Sequence, residues 1–179
     1  MLPQNCQLMA RYNQWMNNKL YDCARQLSKE NLRKDMGAFF GSVLGTLNHL
    51  VVADIIWMKR FADHPARFAA LTGLQEIERP QTLDATIHTD LESLYTLRQT
   101  LDDMILALAN EVSEEALNTH FAYRNMKGDE FNDRLMYPLQ HFFNHQTHHR
   151  GQLTTLFAQL GVDVGVTDLL MTIRDSDLP

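Results

Sequence analysis

Cysteine is scarce in this chain. Cys6 and Cys23 are the two present, and they form no C-x-x-C pair. That argues against a disulfide framework and predicts a reducing, cytoplasmic setting. Basic clusters are missing as well. The net charge is −6 with histidine neutral, and no basic run exceeds two residues, as at Arg33-Lys34. A nucleic-acid-binding surface needs an electrostatic footprint that this distribution does not offer. Long apolar runs are absent too. The longest apolar neighbourhood, Leu50 to Met58, is interrupted by Asp54, whereas a membrane span needs roughly 18 to 20 apolar residues. No basic segment followed by an apolar one opens the chain, so no signal peptide is expected. No glutamate has a histidine three residues on, which removes the di-iron carboxylate bundle. H-E-x-x-H and the phosphate-loop pattern G-x-x-x-x-G-K-[ST] are missing too.

What is present is an ordinary globular composition, with 45% hydrophobic and 21% charged residues over 179 positions. This length predicts one domain, residues 1–179, with one core. Four long segments carry helical periodicity. In the first, Asn5 to Leu27, the residues Leu8, Tyr12, Trp15, Leu20, Cys23 and Leu27 recur at helical spacing. The second, Ser42 to Ala62, is apolar nearly all round, which marks a buried helix. Asp63 to Gln81 holds Pro65, Gly73 and Pro80 and reads as a long loop with room for a short helix. The third segment is predicted from Thr82, read as its N-cap, to Asn110. Asn118 to Phe131 reads as a short hairpin or extended crossover. The fourth helix starts between Asp133 and Pro138 and ends at Leu160, with Gly161 as a left-handed cap. A short helical turn is expected at Thr167 to Met171. Four amphipathic helices with almost no strand signal predict an all-α, four-helix bundle.

Histidines crowd the fourth helix at His141, His145, His148 and His149. On a wheel of about 100° per residue, His145 and His149 border the apolar face, and His141 and His148 lie further toward solvent. Residues four apart on a helix share a face, and two imidazoles at that spacing can grip one metal ion. A third ligand must come from a neighbouring helix. His49 is the candidate, because it sits beside Gly45, Val52, Ala53 and Ile56 on the second apolar face of the buried second helix, where a polar ring needs a partner. A hydrogen-bonded core histidine would fit the spacing as well. Two buried charges also need partners. Asp54 falls on the main stripe of the second helix and Arg150 within the apolar face of the fourth, so the two are predicted to pair. Gly151 is read as permitting close helix approach.

The segment His145-Gln146-Thr147-His148-His149-Arg150-Gly151-Gln152 resembles the H-x-x-H-H-R-G-Q stretch of the DinB/YfiT-like bundle proteins. This family is distinct from the DNA polymerase that shares the DinB name. Phe40-Gly41-Ser42-Val43-Leu44-Gly45-Thr46-Leu47-Asn48-His49-Leu50, continued by Ala53-Asp54-Ile55-Ile56-Trp57, is similar to the family's second-helix segment. Tyr12-Asn13-Gln14-Trp15-Met16-Asn17 is like its first helix. The resemblance spans nearly the whole chain.

It implies a four-helix bundle, often a homodimer, with a divalent metal on His49, His145 and His149. Imidazole suits zinc and nickel, and three protein ligands leave a position for water or substrate. The implied activity on a small-molecule substrate is a thiol S-transferase reaction that takes a low-molecular-weight thiol as cosubstrate. The alternatives are a metal-dependent hydrolase and a non-catalytic metal-binding stress-response protein. The ligands do not separate these, and no general base is identifiable. His141, His148 and Gln152 are near enough to be considered. Cys6 and Cys23 lack a reactive pattern.

Overall fold

The computed structural model describes residues 1–175. Its frame is four long helices: α1 (Pro3–Ala24), α3 (Val43–Ala62), α4 (Leu91–Glu111) and α6 (Met136–Gln159). Short helices α2 (Lys29–Arg33) and α5 (Glu114–Asn118) lie in the connections, and α7 (Leu169–Asp175) follows α6. A 3₁₀ helix at Ala69–Glu76 occupies the long loop after α3. The structure is an all-α bundle, as the periodicity predicts. α1 packs on α4 and α6, and α3 packs on the same two, so α1 and α3 lie on opposite corners. The apolar stripes meet inside this square, where Leu20, Val51, Ile55, Met58, Phe61, Leu94, Leu101, Leu153 and Phe157 are fully buried. As expected of a helix apolar all round, α3 is buried along most of its length.

The helix ends follow local chemistry. Ser42 caps α3 by accepting from the Gly45 N–H at 3.0 Å, and Ser28 caps α2 through the Asn31 N–H at 3.1 Å. Gly161 ends α6 at φ +77°. The segment 120–134 is a hairpin, with β1 (His120–Arg124) antiparallel to β2 (Glu130–Arg134) and His120 opposite Arg134. The Asn125 side chain folds its turn by accepting from the N–H groups of Lys127 at 2.8 Å and Asp129 at 3.0 Å.

The N-terminus of α4 departs from the expectation. The helix starts at Leu91 rather than beside Thr82, and its cap is Asp90, which accepts from the Ser93 N–H at 2.9 Å. The segment before it runs as a strap across α3 because its backbone groups are taken by α3 side chains. Asn48 Oδ1 accepts from the N–H groups of Ile87 at 2.8 Å and His88 at 3.1 Å, and its Nδ2 donates to the His88 carbonyl at 3.0 Å. A backbone bonded in this way has no helical ladder to join.

A second correction concerns the buried charges. Asp54 pairs with Arg98 of α4 at 2.5 Å, not with Arg150. Arg98 also meets Asp102 at 3.0 Å. Asp54 further accepts from the Gln146 amide, and Arg150 donates to Asn13 and lies 5.3 Å above the Tyr12 ring. Asn17 closes the network by donating to Asp102 at 2.9 Å. Arg98 wins the partnership because it occupies the apolar stripe of α4 between Leu94 and Leu101, facing Asp54 directly. Every one of the four long helices contributes to this network. Gly151 is exposed, and a side chain there would meet nothing within 4 Å, so it does not serve close packing.

Candidate metal centre

The wheel on the fourth helix places His145 and His149 one turn apart on α6, and α3 packs beside it with His49. The structure brings the three rings together. Their Nε2 atoms form a triangle with sides of 3.3 Å (His49 to His145), 3.2 Å (His49 to His149) and 3.1 Å (His145 to His149). Three nitrogens held about 2.0 to 2.1 Å from one tetrahedral ion would stand roughly 3.3 Å apart. The triangle therefore has the size for one ion to sit on three imidazoles.

The outer faces of two rings fix which nitrogen is free. His49 Nδ1 lies 2.8 Å from the Leu83 carbonyl, which can only accept, so Nδ1 carries the proton and Nε2 keeps its lone pair. His149 Nδ1 stands 2.8 Å from Gln152 Oε1 in the same relationship. Burial keeps the rings neutral. It pushes His49 down to about 4, with the Leu83 contact opposing and His149 adding to the shift. His145 falls to about 3, by burial first and then by its histidine neighbours. His149 is lowered by burial as well. Unprotonated imidazoles are the form a metal needs.

Phe40 stacks on His49 with ring centroids 3.6 Å apart and meets His149 edge-on at 5.5 Å. Gly45 makes this possible: a β-carbon there would collide with the Phe40 carbonyl, so only glycine lets that backbone close over the first turn of α3. The other side of the triangle is open. A cavity of about 430 Å³ reaches His49 and His145 and continues along Ala53, Ile56, Trp57 and Arg60 to the hairpin turn.

His141 and His148 are exposed, as the wheel predicts. His141 lines the cavity 5.1 Å from the Trp57 ring, while His148 leans on His149 at 4.8 Å and reaches the Gln152 amide. Gln152 is occupied with His149, which makes it an orienting group. The sequence reading passes over Phe40, the Leu83 carbonyl and Asn48. Only Asn48 carries a usable signal, as an amide on a buried helix face that must find partners.

Both cysteines are buried, and burial raises the pKa of each thiol, that of Cys6 to about 11. Neither is a reactive thiolate.

These features agree with what comparison with known proteins shows. Protein DinB of Bacillus subtilis (strain 168) is 24% identical over 157 residues, covering 88% of this chain and 87% of that protein. The profile described as DinB family matches residues 1–176. With a match over that length and a bundle that sets three histidines on one point, the chain belongs to the DinB family.

Proposed function

We propose that the protein is a divalent-metal-dependent enzyme acting on a small-molecule substrate, with His49, His145 and His149 as the metal ligands and zinc or nickel as the ion. The observation that carries the reading is the triangle of three Nε2 atoms on neutral imidazoles, 3.1 to 3.3 Å apart, at the end of an open cavity. A structural zinc site is closed by a fourth protein ligand, whereas a catalytic site keeps a position open. Among the described residues no fourth histidine, cysteine or carboxylate joins the cluster.

A divalent ion on three neutral imidazoles keeps its full charge and lowers the pKa of a water or thiol that it binds. The chain's own groups do the rest. Leu83 and Gln152 hold the ring tautomers, Phe40 covers one flank of the triangle from water, and Ala53, Ile56 and Trp57 give a substrate an apolar floor. We favour transfer to or from a low-molecular-weight thiol as the reaction, on the family resemblance, and hydrolysis is the second reading on the same site. Both cysteines are buried with raised pKa values, so a thiol nucleophile would come from outside the chain. A cytoplasmic homodimer is part of this reading. No helix among the described residues is long and apolar enough to cross a membrane.

The test is elemental analysis of protein purified without a metal-affinity tag, beside the His145→Ala/His149→Ala variant. Near-stoichiometric zinc or nickel in the first and none in the second is expected. Absence of metal from both after incubation with divalent ions would sink the metal centre. Loaded protein is then assayed with thiols and electrophiles, and separately with ester and amide substrates, to divide transferase from hydrolase.

A further inference from the structure

Arg60 is a largely buried cation with no anionic partner among the described residues. Its residue is 8% exposed, yet among the described residues no carboxylate pairs with it, and its Nε is buried without a hydrogen-bond partner. The other two buried arginines also leave a buried Nε without a partner, but the ends of their guanidinium groups are engaged. Arg98 faces Asp54 and Asp102, and Arg150 donates to Asn13 and Thr147. Around Arg60 stand the Trp57 ring at 4.4 Å and the Tyr123 ring at 5.8 Å. Such faces attract a cation weakly, but they accept none of its five N–H donors in a fork. Burial first and then the charge of Arg79 press on this guanidinium, lowering its pKa. A partly desolvated cation left this way gains from any opposite charge brought to it.

Arg60 lines two cavities: one holds the carboxylates of Asp63 and Glu130, and the other, already described, leads to the histidines and is where an anion from outside would seat. His49, Ala53, Ile56 and Arg60 follow one another at helical spacing along one face of α3 and line one wall of the same cavity. Eleven residues at 100° each return to within about 20° of the starting azimuth, three turns and roughly 16 Å further along the axis. Helix side chains lean toward the N-terminus, and the stacking of Arg60 on Trp57, three residues before it, shows that lean toward the histidines. Between the two ends lie Ala53, Ile56 and Trp57. Asp129 is the one carboxylate lining the cavity, and Asn125 Nδ2 already donates to it at 2.9 Å.

We propose that the cavity takes an organic carboxylate: the carboxylate seats on the Arg60 guanidinium, an apolar or aromatic body lies over Ile56 and Trp57, and the reacting end points to His49 and His145. The direction of the reacting end rests on reading the histidines as the metal centre, whereas the Arg60 subsite does not.

Calorimetric titration with 4-phenylbutyrate and its uncharged analogue 4-phenylbutanol tests this in the zinc-treated full chain, Arg60→Gln, and the His145→Ala/His149→Ala variant. Wild type is expected to prefer the carboxylate, and Arg60→Gln to lose at least about tenfold of its carboxylate affinity while binding the alcohol unchanged. The histidine variant is expected to keep the preference, since Arg60 is intact. The urea midpoint of Arg60→Gln should hold or rise, because an unpaired buried charge has gone. Equal weakening of both probes would reduce Arg60 to a packing residue and overturn the proposal. So would a carboxylate preference that survives in Arg60→Gln but vanishes with the histidines, which would place the carboxylate on the metal. Competition by inorganic phosphate without any binding of phenylbutyrate would overturn the carboxylate assignment. Zinc content measured on the same samples separates a failure of the metal reading from a failure of the Arg60 subsite.

Discussion

Leu83 holds His49 by a single backbone contact, its carbonyl 2.8 Å from the ring Nδ1. One ring of the triangle is thus oriented from the irregular strap before α4 and not from either helix that carries the histidines. The strap is in turn tied to α3 by Asn48, one residue before His49.

Removing that tie should loosen the ring as well as the strap. Asn48→Ala leaves the N–H groups of Ile87 and His88 without their acceptor. The expected loss is about 1 to 3 kcal/mol of unfolding free energy, from partly buried backbone groups left unpaired. The expected loss of zinc affinity is about 10- to 100-fold, the usual effect of disturbing a group that orients a ligand. Urea unfolding and chelator competition read the two effects separately. Unchanged zinc affinity in a destabilised variant would show that the strap does not position His49.

The buried network gives a second expectation. Arg98→Met removes the cation between Asp54 and Asp102, both 1% or less exposed, and leaves two carboxylates in the core. Loss of one partner of a buried pair costs about 3 to 5 kcal/mol. Equilibrium denaturation at neutral pH measures it. A loss below about 1 kcal/mol would mean that water reaches the carboxylates.

The third concerns acid. His49 and His145 have folded values near 4 and 3, below the ordinary value of 6.5. The unfolded chain therefore binds more protons than the folded one between those values. The stability tied to neutral rings is complete above about 6.5 and is lost as the pH falls through the folded values. Asp54 and Asp102 are shifted upward and oppose this between pH 6 and pH 4, so the comparison is made against His145→Ala, which keeps both. For chelator-treated protein, the urea midpoint of the wild type relative to His145→Ala should fall from pH 6.5 to pH 4. A difference that stays constant across that window would contradict the burial argument for His145.

The four helices are legible because their apolar residues repeat at 3.6, and the histidine cluster because i and i+4 on α6 share a face with His49 opposite. Thr82 misleads for a physical reason. Leu83 and Ile87 continue the apolar spacing of α4 backwards, but their backbone is claimed by Asn48 and His49, contacts between segments some 40 residues apart that no local pattern records. Arg98 was legible in principle. It stands on the stripe Leu94, Leu101, Ile105 and Leu108, where a charge announces a buried partner. Asp54 and Arg150 could be recognised as buried charges, but which of two cations met Asp54 depends on helix order around the bundle, which periodicity does not encode. Phe40 and Arg60 are matters of loop path and unpaired charge, visible only once the neighbours are known.

The polar network in the core bears on how the bundle chooses its own arrangement. Asp54 and Asp102 carry two negative charges, Arg98 and Arg150 two positive ones, and α1, α3, α4 and α6 each supply at least one member. Apolar side chains tolerate sliding, since one leucine greets another nearly as well as its own partner. Charges do not. Moving any one helix by a turn, or exchanging two corners, would strand an ion in hydrocarbon. The network thereby favours one helix register, the one in which the two elements that carry the histidines meet.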